Sequence, residues 1–366
     1  MDLKTLLGGD AGGYLLSIDG VYDSTKFLET SQSEVENIKT AYIGQNPILP
    51  VDAFPEARQN NTPIIFNNGI DDIFVLCGGR TTSYKTDLWF YNIKTKTWTQ
   101  KTSSPVISMG ASVVYYNNGV NNLMVLCGGR NSSGTVISDT WEYNLDTDVW
   151  TQKISLATAR FYHGALYYHN GVNNIMIIHG GGTTTDSKET FEYNLDTDVW
   201  TQKASVPLTS NSFQAFQFVF YNNGVNNLGF VHSRSGVSGF WEYNLDTDVW
   251  TRKAEPLEAL YGGISVISKL GSEDVVITIG GNLANGSCSL GVYAYVISTN
   301  TWETLPQVTE AINHSFGVPY IENGNNKILY FGGLNSIGVA LNSMRSYDIE
   351  KAIEIKNAKL LIARIN

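Results

Sequence analysis

A thirteen-residue phrase, WEYNLDTDVWTQK at 141–153, returns as FEYNLDTDVWTQK at 191–203 and as WEYNLDTDVWTRK at 241–253. Looser copies lie on either side, WFYNIKTKTWTQK at 89–101 and YAYVISTNTWETL at 293–305. Copies of one short segment must stack on one another, because a single unit cannot bury its apolar face alone. The Trp residues that close the copies, Trp98, Trp150, Trp200, Trp250 and Trp302, follow at steps of 52, 50, 50 and 52 residues. Gly pairs keep the same step: Gly78-Gly79, Gly128-Gly129, Gly180-Gly181, Gly280-Gly281 and Gly332-Gly333, with His232-Ser233 in the fourth place. Six units therefore fill the chain from roughly residue 60 to residue 356.

Inside a unit, short apolar or alternating runs are separated by turn residues, a pattern of strands and not of helices. Unit two predicts four strands: SVVYY at 112–116, LMVLC at 123–127, TWEYNL at 140–145 and VWTQK at 149–153. Asn118-Gly119 and Asp146-Thr147-Asp148 supply the tight turns. Four antiparallel strands per unit make a propeller blade, and closing the ring removes exposed sheet edges.

An apolar strand ending in Gly-Gly, a variable loop, an aromatic-Tyr strand and then a Trp resembles the Kelch repeat. The resemblance implies an all-β, six-bladed propeller in which the Gly pair ends the second strand and the Trp packs between blades. Arg160 and His163 resemble the Arg and His that often precede the first strand of a Kelch unit. The propeller is expected over residues 51–356, with 1–50 as a docking or oligomerisation segment and linker and 357–366 as a tail that adds a strand or meets a neighbour.

Composition fits a packed body, 42% hydrophobic and 16% charged, with no apolar run long enough to span a membrane. The first residues show no basic region followed by an apolar stretch, so synthesis in a cytoplasm without a signal peptide is expected. A net charge of -10 disfavours nucleic acid, whose phosphates need a basic face. Cys77 and Cys127 stand where other units carry His179, His232, Ile279 and Phe331, which is a core position, and Cys288 stands alone. This is neither a disulfide framework nor a zinc site.

Residues 1–50 carry a candidate short helix, with Ser24 as N-cap and Leu28, Ser31, Val35 and Ile38 on one face. The fragment VENIKTAYIGQN at 35–46 is similar to phrases in tail and baseplate proteins of phages infecting Gram-positive bacteria. That resemblance implies a virion or tail-like particle, other tail or baseplate subunits as partners of residues 1–50, and a homotrimer.

The repeats differ unevenly. Turns on one face of the disc are nearly invariant, NNGVNN or HNGVNN on one hairpin and LDTDVW on the other. Loops between the second and third strands, from RTTSYKTD at 80–87 to LNSIGVALNS at 334–343, and the links between blades have diverged. Loops on a rigid scaffold are where binding residues usually sit, so this variable face is the expected binding surface. Invariance has a second explanation, in that a tight turn tolerates less change than a longer loop. Arg80, Arg130 and Arg234 begin variable loops and Arg160 lies on a link, an arrangement suited to an anionic ligand. Each Arg could equally pair with a nearby carboxylate or carbonyl. Tyr84, Phe161, Tyr162, Tyr261, His163 and His314 complete the candidate ligand-binding set.

No catalytic residue, metal ligand or cofactor site is expected. Copper oxidases related to Kelch proteins use two His, two Tyr and a Cys, but His179 and His232 occupy core positions here. The Asp-Thr-Asp triplets offer too few oxygens for calcium and read as hairpin turns. The favoured function is a non-enzymatic recognition module, a phage-type receptor-binding protein that holds a bacterial surface glycan or protein. The alternatives are an intracellular Kelch adaptor for a protein or peptide, and a sugar-processing Kelch enzyme such as those that epimerise sialic acid.

Overall fold

In the computed structural model five units each become one four-stranded antiparallel sheet, and the sixth completes its sheet with a strand from ahead of the first unit. The structure describes residues 48–51, 56–183, 187–207, 217–233, 239–256, 258, 262–283, 287–310, 312–335 and 337–365. The expectations for residues 1–47, including the helix from Ser24 and the fragment at 35–46, lie outside the described residues, as do Arg234 and Tyr261.

Blade 2 shows the correspondence with sequence: its strands run Ser112–Asn117, Asn122–Cys127, Thr140–Asn144 and Val149–Lys153. The innermost strands of the other blades are Thr62–Asn67, Phe161–His169, Phe218–Asn222, Ile264–Leu270 and Phe316–Glu322. Each meets the innermost strands of its two neighbours, and the last returns to the first, so six blades form a closed ring. The core consists of the layers between blades: Val114, Val125 and Cys127 of blade 2, for example, pack with Met176, Ile178 and Tyr193 of blade 3.

Ring closure falls to a stretch read from sequence as part of a linker. Strand β1 (Ile48–Val51) is the outer strand of blade 6, paired antiparallel with Met344–Asp348. Pro50 is tolerated because the outer strand is a sheet edge. The C-terminal residues add no strand; helix α1 (Ile349–Ile365) follows blade 6 directly. Asp348 caps it by accepting the Lys351 N–H at 3.0 Å, and Ile349 and Ala352 are buried in the core of blades 5 and 6.

The invariant phrase clasps one blade to the next. In blade 3 the Trp200 indole N–H donates to the Ile154 carbonyl of blade 2 at 2.9 Å, and Asp198 accepts the Ile154 N–H at 3.0 Å. Trp150 and Asp148 hold Thr102 in the same way, Trp250 and Asp248 hold Ala204, and Trp302 and Asn300 hold Ala254. The second hairpin is tied in as well, since the Asn174 N–H and side-chain amide both donate to Asp196, as Asn122 does to Asp146 and Asn227 to Asp246.

The Gly pairs serve the opposite end of the blades. Gly129 N–H donates to the Arg160 carbonyl at 2.7 Å, Gly281 N–H to Ile312 at 2.7 Å and Gly333 N–H to Arg58 at 3.0 Å. A Cβ on Gly128, at φ +65°, would lie 2.5 Å from the Arg160 carbonyl oxygen, so only glycine permits this approach.

Candidate functional site

The variable face is centred on a belt of backbone hydrogen bonds around the ring axis. Asn60 N–H donates to the His314 carbonyl at 3.1 Å, Gly110 N–H to Asn60 at 3.3 Å, Tyr162 N–H to Gly110 at 2.9 Å and His314 N–H to Gly262 at 3.0 Å. All five residues are in the left-handed region: Asn60 at φ +53°, Gly110 at +65°, Tyr162 at +57°, Gly262 at +70° and His314 at +54°. For a non-glycine residue that conformation costs roughly 1–2 kcal/mol. Tyrosine has none of the local hydrogen bonding that eases it for Asn.

Tyr162 of blade 3 and His314 of blade 6 stand on opposite sides of the six-membered ring, yet their rings stack, 6.0 Å between centroids and 21° between planes. Together they cover the axis. Tyr162 also lies over Gly110, where a Cβ would come within 3.1 Å of its ring. The series continues outward: Phe161 is 4.5 Å from Tyr162, and the Arg130 guanidinium sits 4.1 Å from the centre of the Phe161 ring. Arg130 is held there by donating to the Gly134 carbonyl at 2.9 Å. Gly134 in turn rests on Tyr84, whose ring lies beneath Arg80 at 5.3 Å. Six of the expected site residues, Arg80, Tyr84, Arg130, Phe161, Tyr162 and His314, thus form a continuous cation–aromatic path from blade 1 to the axis.

Two others are corrected. Arg160 is 1% exposed and faces inward, donating to the Gly180 carbonyl at 3.0 Å and to Glu189 at 3.1 Å. It lies over the Phe191 ring and locks the start of blade 3 to its second and third strands. Arg58, missed in the sequence, does the same for blade 1, bonding the Gly78 carbonyl at 3.1 Å and Asp87 at 2.8 Å and 3.1 Å. Its signal was the spacing, since Arg58–Gly78 and Arg160–Gly180 are both twenty residues apart. His163 is 3% exposed, wedged against Gly128 between blades 2 and 3. Burial, with the Arg160 charge adding to it, pushes its pKa down to about 3. A histidine so placed is neutral and does not meet a ligand.

Beside the aromatic path, the loops of blade 3 enclose a polar cavity of about 390 Å³, lined among others by Thr158, Arg160, Thr183, Ser187, Lys188 and Gln202, so Arg160 borders this cavity even though its guanidinium is committed to Gly180 and Glu189. Among the described residues no three His, Cys, Asp or Glu side chains are grouped as metal ligands. The invariance of the opposite face follows from the inter-blade clasps. The contrast between the faces is therefore a consequence of scaffold bonding, and the site rests on the geometry around Tyr162.

Comparison with known proteins agrees with the repeat. The family described as the Attractin/LZTR1 beta-propeller matches residues 47–219, just under half of the chain. The fold is a six-bladed β-propeller built of Kelch-type repeats. No curated protein matches this chain in sequence. Solved structures match in fold, among them one described as the structure of YjhT, at TM-score 0.62 and 16% identity over 80% of this chain and 95% of that one. At that identity the likeness is one of fold.

Proposed function

We propose that the propeller is a non-enzymatic recognition module that binds a glycan on its variable face, over blades 2 and 3 and the ring axis. The observation that carries this reading is the path Arg130–Phe161–Tyr162–His314, with Tyr162 and His314 held at positive φ. Backbone strain maintained at a surface is a reason to look for function there. Aromatic faces accept the apolar face of a sugar ring, and the polar cavity beside them offers hydroxyl and amine partners. The Arg80 and Arg130 guanidinium groups favour a glycan carrying carboxylate or phosphate.

The proposed setting is a phage or phage-tail-like particle, in which residues 1–50 join tail or baseplate subunits and the ligand is on a Gram-positive cell surface. This part rests on the resemblance of residues 35–46 alone. The test is binding of the fluorescently labelled full chain to a panel of Gram-positive cells, with an Arg130→Ala/Phe161→Ala variant alongside. Saturable, strain-dependent binding that the variant loses supports both the module and its site. Binding retained by the variant moves the ligand off this path. Absence of binding to every strain removes the particle reading and leaves an adaptor for a soluble partner. Turnover of a sugar by the purified chain makes it an enzyme instead.

A further inference from the structure

The invariant face carries one repeated feature that the scaffold does not use. In the NNGVNN turn, the Asn118 side chain accepts the Val120 and Asn121 N–H groups, Asn117 accepts the Gly119 N–H, and Asn122 bonds Asp146. Only the valine side chain is left over, and it points away from the molecule. Val120, Val172 and Val225 are 83%, 79% and 85% exposed at the same place in three successive blades. None of the three has a positive φ, so the turn places no demand on the side chain. Scattered exposed aliphatics are ordinary on a protein surface, but here the fold sets them in a regular arc. A second row, Val149, Val199 and Val249, is half exposed just beyond the Asp-Thr-Asp turns on the same face.

The charge on this arc selects among partners. The turns of blades 2 to 4 present Asp146, Asp148, Asp196, Asp198, Asp246 and Asp248, and no Lys or Arg occurs in them. A second copy docked through the same arc would set carboxylates against carboxylates. The chain's own residues 1–47 are acidic too, with seven Asp and Glu against three Lys. Anionic lipid is repelled on the same ground. The complementary surface is cationic with aliphatic side chains interspersed.

We propose that the arc of Val120, Val172 and Val225 is a second interaction surface, and that its partner is a basic amphipathic segment of another protein. Aliphatic side chains of the segment lie between the valine tips while its Lys and Arg face the aspartates, a helix-on-surface mode of recognition. The arc is rigid because every turn is clasped twice, so the partner needs no rearrangement of the propeller.

The test titrates the full chain with a labelled amphipathic peptide of leucine and lysine, and with the same peptide carrying glutamate for lysine. The wild type binds the lysine peptide saturably, more weakly as salt rises, and leaves the glutamate peptide unbound. A Val120→Thr/Val172→Thr/Val225→Thr variant keeps side-chain shape and thermal midpoint and binds about tenfold more weakly. The Arg130→Ala/Phe161→Ala variant binds the peptide as the wild type does. Equal binding of both peptides, an unweakened threonine variant or no saturable binding overturns the proposal. A wild-type dimer that the threonine variant dissociates assigns the arc to a second copy instead, which also overturns it.

Discussion

Tyr162 and His314 are 152 residues apart in sequence and on opposite blades, and they meet because the ring closes with their rings stacked at 6.0 Å over its axis. Blades 2 and 5 have Gly110 and Gly262 at the same point of the hydrogen-bonded belt, so the belt itself needs no side chain there. The two rings cover the axis at a backbone cost, which a purely structural position would shed.

Tyr162→Gly separates these roles. The substitution relieves roughly 1–2 kcal/mol of left-handed strain and gives up contacts to Phe161 and His314 of similar size. Stability in urea is expected to stay within about 1 kcal/mol of wild type while cell or glycan binding is lost. A loss of several kcal/mol would instead make Tyr162 part of the scaffold.

Arg160 gives the opposite pattern. Arg160→Ala removes the guanidinium donor to the Gly180 carbonyl inside blade 3, while the part-exposed Glu189 keeps the Ser187 hydroxyl, and losing such a charged hydrogen-bond donor costs about 1.5–3 kcal/mol. Urea unfolding measures it. Arg58→Ala is expected to behave alike through Asp87.

The strands were legible because they are local: alternation and Asn-Gly turns predict Ser112–Asn117 and Asn122–Cys127 to within a residue. Five copies of the Trp phrase against six units already implied that one blade lacks its own outer strand. The donor, Ile48–Val51, carries no mark of that role, since a short apolar strand next to a proline looks like a linker until the ring supplies its partner. Arg58 and Arg160 were obscured by distance, each bonding a glycine carbonyl twenty residues on and a carboxylate twenty-nine residues on. Helix α1 escaped because its apolar positions continue from a strand with no turn residue between them; Asp348 both ends the strand and caps the helix.

The clasp residue Asp198 can be tested against the protein's own variation. Asn300 in blade 5 does the same work, accepting from Ala254 N–H and from the Tyr295 hydroxyl at 2.9 Å each. Asp198→Asn is therefore expected to be nearly neutral. Asp198→Ala loses the acceptor for Ile154 N–H and Tyr193 and puts alanine at φ +58°, at a cost of about 2–3 kcal/mol. Equal midpoints for the two variants would show that the clasp contributes nothing.

The buried histidines set a pH dependence. Burial, with the Arg160 charge adding to it, holds both His163 and His179 at about 3, against 6.5 for a free side chain. Between those values the unfolded chain takes up protons that the folded chain does not, so stability is full above about pH 6.5 and falls as the pH drops. Each histidine contributes up to about 1.4 kcal/mol per pH unit in that window. Asp87, held below its ordinary carboxylate value of 3.8 by the Arg58 guanidinium against the upward pull of burial, stays charged from about pH 7 to about pH 5 and does not mask the effect there. Urea midpoints measured from about pH 7 to about pH 5 should decline steadily. His179→Phe, the residue type that blade 6 carries there as Phe331, should remove one histidine's share of the slope. A midpoint that is flat over this range would mean that neither histidine is held neutral by the fold.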